Sequence, residues 1–154
     1  MDVRRSYREA AVRGASPLQL VVQLYDQIVE DLRQAALAID EKNDEKAIRR
    51  RSERIKHAIL VLAHLQSSLD FANGGRVARN LELFYNVVRQ NLVGLQFRPS
   101  QRAARQLITD VMAVRSSWVE AERLEGSKSA GVNQSAPSFE SAPETERGRA
   151  DWEG

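Results

Sequence analysis

Four stretches of this chain repeat apolar residues at the spacing of a helix. The first runs Leu18, Val21, Tyr25, Ile28, Leu32, Ala35 and Ile39; the second Ile48, Ile55, Ile59, Leu62, Leu65 and Leu69. The third runs Val77, Leu81, Phe84, Tyr85, Val88, Leu92 and Leu95; the fourth Ala104, Leu107, Val111, Val114, Trp118 and Ala121. Steps of mostly three, four or seven place each set on one face of a helix. No stretch alternates as a half-buried strand would. Up to Leu124 there are four Gly and two Pro, and five of these six fall between the stretches. The pattern predicts an all-α, antiparallel four-helix bundle, its members about 30 to 40 Å long at 1.5 Å per residue and joined by short turns.

The breaks carry their own chemistry. Ser16-Pro17 opens a helix, with Ser16 as N-cap and Pro17 at the first helical position, where a missing N–H costs nothing. Gln19, three residues after Ser16, completes a capping box. Lys42-Asn43-Asp44 is a turn in which Asn43 or Asp44 can cap. Asn73-Gly74-Gly75 reads as a stop, with Asp70 the turn or cap residue joining the second helix to Gly74. Pro99-Ser100 is the last break, and Gly94 lies inside a helical pattern at modest cost. A short fifth pattern, Val3 to Val12, precedes Gly14 and reads as a helical cap segment over residues 1–14.

Beyond Leu124 the composition changes. Gly, Ser, Ala and Pro make up half of residues 125–154, and Val132 is the one aliphatic larger than Ala. Too little apolar surface is available there to offset the entropy of ordering, so a disordered tail is expected. Phe139 and Trp152 are its large side chains. The tail holds six acids and three bases, net −3; with a total of +2, residues 1–124 carry +5. The expected organisation is a cap segment over 1–14, a bundle over 15–124 and a tail over 125–154.

The inventory argues against an enzyme. The chain has no cysteine, which removes disulfides, thiolate metal sites and a Cys nucleophile. Its two histidines, His57 and His64, share a helix face but stand about 10 Å apart, too far for one metal ion. The Glu-x-x-His signature of di-iron bundles does not occur, and neither does a Gly-rich phosphate loop. No metal and no cofactor are expected. No apolar run approaches the roughly 18 residues of a membrane span. The start, Met1-Asp2-Val3-Arg4-Arg5, lacks a secretory pattern, so a cytoplasmic location is expected, without membrane insertion. Arg49, Arg50, Arg51, Arg54 and Lys56 form the densest basic run. Asp44, Glu45 and Glu53 interleave with it and aromatic residues for base stacking are missing nearby, which favours a solvated face over nucleic-acid binding.

Leu18, Leu20, Val21, Val22, Leu24 and Tyr25 are wider than one stripe, as are Ile59, Leu60, Val61, Leu62 and Leu65. A bundle member needs an apolar arc of about 100° or somewhat more. The excess means a deeply buried helix or a groove for a partner. Tyr7, Ala11 and Val12 form a small apolar edge that could occupy such a groove.

Several of these residues fall in an order that resembles a known family. Tyr7, then Ala15-Ser16-Pro17-Leu18-Gln19-Leu20 and Leu24-Tyr25-Asp26, resembles the opening of the flagellar secretion chaperones called FliS. Ser68-Leu69-Asp70-Phe71-Ala72-Asn73-Gly74-Gly75, followed by Ala78-Arg79-Asn80-Leu81 and Phe84-Tyr85, looks like that family's central signature. Trp118 stands where its last helix often has Trp. The similarity covers roughly Arg4 to Leu124. It departs at Gly14 or Ala15, where Thr is common, at Gln27, where Gly is, and at Phe84-Tyr85, where Leu-Tyr is usual.

The resemblance implies a cytosolic chaperone that binds the disordered C-terminal segment of flagellin, prevents its premature polymerisation and keeps it competent for export. It also implies contact with the export gate protein FlhA. On this reading Tyr7 is a lid or direct contact, and Leu62, Leu65, Leu69, Leu81, Phe84 and Tyr85 line the groove. Asn80 orients a bound backbone or, equally, fixes helix packing from within. Ser16, Pro17, Asp70 and Gly74 are structural. The alternatives are a basic helical module binding nucleic acid through Arg49 to Lys56 and a helical adaptor for another partner. A weak homodimer through the open groove is a further option.

Overall fold

The computed structural model describes residue 5, residues 14–40 and residues 43–127. Within residues 14–127 four helices follow one another among the described residues: α1, Pro17–Asp40; α2, Glu45–Ser67; α3, Phe71–Phe97; and α4, Gln101–Ser127. They form an all-α four-helix bundle. The expected cap segment (bar Arg5 and Gly14) and residues 128–154 of the expected tail lie outside the described residues. Glu125, Gly126 and Ser127, assigned to the tail from sequence, continue α4.

The local signals at the helix starts act as their residues predict. Gln19 N–H donates to Ser16 Oγ at 3.1 Å, and Ser16 N–H donates back to Gln19 Oε1 at 2.8 Å. This reciprocal pair satisfies two backbone donors that the first turn leaves without partners. Asp44 caps α2, accepting from Ala47 N–H at 2.8 Å. Ser100 accepts from Ala103 N–H at 3.1 Å and opens α4.

The break between α2 and α3 differs from expectation. The helix ends at Ser67, before Leu69, where the Ser67 and Ser68 hydroxyls donate to the carbonyls of His64 and Leu65. Asp70 then starts the next helix, accepting from Asn73 N–H at 3.0 Å and from the Asn73 amide at 2.7 Å. Those two donors, the backbone one foremost, hold the Asp70 carboxyl below the ordinary aspartate range. Asn73-Gly74-Gly75 is therefore a kink inside α3 and not a stop. Gly75 takes φ 52°, ψ −125°, a conformation open essentially to glycine alone. Gly74 is constrained by space, since a Cβ there would sit 2.9 Å from Ala78 Cβ.

The apolar excess on α1 proves to be core. Leu18, Leu20, Val22, Leu24, Tyr25, Ile28, Val29 and Leu32 are all buried, because α1 packs extensively against both α2 and α4. Helix α3 packs on α2 and touches α4 least, and it buries Ala78, Leu81, Tyr85, Val88, Leu92 and Leu95 along one side. At the centre the Tyr25 and Tyr85 hydroxyls share a buried hydrogen bond of 2.8 Å, and the Tyr25 ring tilts against Trp118 at 6.2 Å.

Candidate partner-binding face

A groove contact must reach solvent, and that condition divides the residues read from sequence. Leu62, Leu65, Leu81 and Tyr85 are at most 2% exposed. They belong to the core, and a partner could touch them only by separating helices. Leu69 and Phe84 are half-buried and pack against that core. Asn80 is exposed and its side chain makes no hydrogen bond among the described residues, which speaks against an internal packing role. Tyr7 lies outside the described residues.

Exposed apolar side chains occur singly on other helices, as at Leu37 of α1 and Leu60 of α2, but three of the most exposed share the opposite side of α3. Leu83 is 63% exposed, Val87 52% and Phe97 78%. Successive helical residues turn by about 100°, so Leu83, Val87, Gly94 and Phe97 lie within about 40° of one line. Leu81, Tyr85, Val88 and Leu92 lie on the far side. Helix α3 is thus apolar on two opposed faces, one in the core and one in solvent. Gly94 adds no side chain, and the space above it is open. Arg76 and Arg79 continue the outward line toward the N-terminus, and Arg98 follows Phe97; all three are exposed.

Sequence reading missed this stripe because the third stretch was matched to a single face. Leu83, Val87 and Phe97 step by four and ten, a helical register of their own, but Gln90 and Gly94 interrupt it. The excess noticed on α2 leaves only Leu60 well exposed, at 62%.

The polar groups inside the bundle hold helices together. Asp31 of α1 is fully buried. It accepts from Arg54 at 3.1 Å and from Gln27 at 3.3 Å, and it meets His57 Nδ1 at 2.6 Å. A buried carboxylate needs such partners, and here they tie α1 to α2. The basic run is dispersed by the same geometry. Arg49 pairs with Glu45, Arg51 is buried and Arg54 turns to Asp31, so these charges do not gather on one face for a phosphate backbone. Asp26 is bound by the Arg115 guanidinium, which holds α4 on α1 and raises the Arg115 pKa, chiefly through that hydrogen bond.

No helix among the described residues is long and apolar enough to cross a membrane. A small helical bundle that turns an apolar stripe to solvent belongs to the class of helical proteins with a face another chain can cover. The family described as flagellar protein FliS matches residues 2–125, and this chain belongs to it. That family is one of chaperones and not of enzymes. Among curated proteins, the flagellar secretion chaperone FliS of Vibrio cholerae serotype O1 is 24% identical over 110 residues, covering 71% of this chain and 78% of that one.

Proposed function

We propose that this chain is a cytoplasmic flagellar export chaperone that holds the C-terminal segment of flagellin along the outward face of α3, with FlhA as a later partner. The exposed stripe of Leu83, Val87 and Phe97 carries this reading. An amphipathic segment that is disordered before assembly can fold onto such a face as a helix does in a groove. Fully burying a side chain of this kind is worth about 1.5–3 kcal/mol. These three are half to three-quarters exposed, so covering them contributes about 3–6 kcal/mol in all. Ordering the bound segment costs about 2–5 kcal/mol or more. The stripe alone roughly breaks even, and useful affinity needs a second contact area. Half-buried Leu69 and Phe84 supply part of it, and Tyr7 is assigned the rest, as a lid over the empty face or as a direct contact.

Isothermal calorimetry against the cognate flagellin tests this, using the full-length client and one lacking its C-terminal segment. One-to-one binding that disappears on truncation is expected. The pair Leu83→Asp and Val87→Asp should weaken binding about 30-fold or more while leaving the helical content intact. Unchanged affinity in that variant would place the client elsewhere on the bundle.

A further inference from the structure

The family match ends at residue 125, so the residues after Ser127 lie beyond it. We infer that the segment from Phe139 to Trp152 is an intramolecular occupant of the outward face of α3, its rings on Leu83, Val87 and Phe97 and its acids beside Arg76 and Arg79. The charges match. Residues 128–154 hold five acids and three bases, and the first acid is Glu140. The outward line of α3 has Arg76 and Arg79 at one end and Arg98 at the other, none of them in an ion pair among the described residues. The one acid of the helix, Glu82, lies about 100° away from Leu83 around it. A second copy of the chain would instead bring like charges together on this face.

Reach also fits. Helices α3 and α4 have equal lengths and are joined by a short turn, so as antiparallel neighbours they bring Ser127 to the end of the bundle where α3 begins. The chain from Ser127 to Phe139 spans at most about 40 Å at 3.3 Å per residue. The line from Arg76 to Phe97 is about 32 Å long at 1.5 Å per residue. Phe139 can therefore meet any part of the stripe, and the open position over Gly94 leaves room for a flat ring between Val87 and Phe97. A short tether gives an effective concentration of order millimolar, so even a contact with a millimolar dissociation constant is occupied about half the time.

The absence of cysteine makes the test clean. A nitroxide on the variant Ser141→Cys, in the full chain without any client, would be read by NMR of the leucine and valine methyls. The expected result is a loss of about twofold or more in the Leu83 and Val87 signals, matching half-occupancy, with Leu60 on the outer face of α2 unaffected. Adding Phe139→Ala and Trp152→Ala should restore the signals. Equal broadening at Leu60, or none anywhere, overturns the inference. So does broadening in a mixture of spin-labelled and isotope-labelled copies, which would assign the face to a second molecule. Because no client is present, the result stands apart from whether flagellin is the cargo.

Discussion

Replacing Tyr25 and Tyr85 by Phe, singly and together, tests the centre of the bundle. Both residues are about 1% exposed, and their hydroxyls meet at 2.8 Å. The Trp118 indole nitrogen is also buried and makes no hydrogen bond among the described residues, though it lies near enough to Tyr25 to favour that group's ionised form slightly. Removing one hydroxyl strands the other away from water, at a cost of about 1–3 kcal/mol. Removing both leaves neither stranded and keeps the shape of the rings. Each single variant should therefore lose about 1–2 kcal/mol, and the double variant should lose no more than either alone. The coupling is then about 1 kcal/mol or larger, in the range found for residues in contact. Urea unfolding followed by circular dichroism measures it, with the m-value as a check that the native and unfolded states are unchanged. In melting temperature each kcal/mol corresponds to about 3–5 °C for a domain of this size. Strictly additive losses would refute the reasoning, because they would mean that water or another group satisfies the stranded hydroxyl.

The same pair sets an alkaline limit on stability. Burial pushes Tyr25 up to about 12, and burial with the neighbouring Tyr25 charge pushes Tyr85 up as well. The folded state then holds protons that the unfolded state releases above pH about 10, so stability is intact below that pH and is lost as pH rises through about 12. For Tyr25 alone the loss is about 3 kcal/mol; the double Phe variant should unfold at distinctly higher pH in the same titration. Gly94→Ala should raise stability by about 0.5–1 kcal/mol, because the position is helical and open. Gly75→Ala should lower it by about 1–3 kcal/mol, the cost of a strained positive φ; thermal melts of the two variants should move in opposite directions. Asp31→Asn should cost about 1–3 kcal/mol in urea, since an amide facing Arg54 and His57 loses a charge-assisted set of hydrogen bonds. Deleting the first dozen residues should change the affinity for flagellin, and equal calorimetric constants would discard Tyr7 as a lid or contact.

What the sequence discloses depends on how local the physics is. Ser16 with Gln19 and Asp44 with Ala47 are decided within four residues, and the caps form as read. Asp70 is equally local, but it competes with Gly74 and Gly75 for the same break, and a glycine pair ordinarily reads as a terminator. The chain instead uses the freedom of Gly75 to bend and resume a helix. The site was less legible, because Leu62 and Leu81 obey the same period whether they face another helix or a partner. Only the arrangement of neighbours separates those cases. Helix α1 touches two other helices extensively and buries most of its excess, leaving Val21 partly covered and Leu37 outside, whereas α3 is covered on one side and leaves Leu83, Val87 and Phe97 outside.

The uneven attachment of α3 bears on how such a molecule could part from its cargo. Local opening draws on the segments with the least support around them. Here α1, α2 and the adjoining face of α4 form a firm keel, and the helix that presents the apolar stripe rests mainly on α2. Amide exchange should therefore be fastest along α3 and slowest in α1. If α3 carries the client as proposed, such a carrier could loosen that helix at the point of hand-over while the rest stays folded.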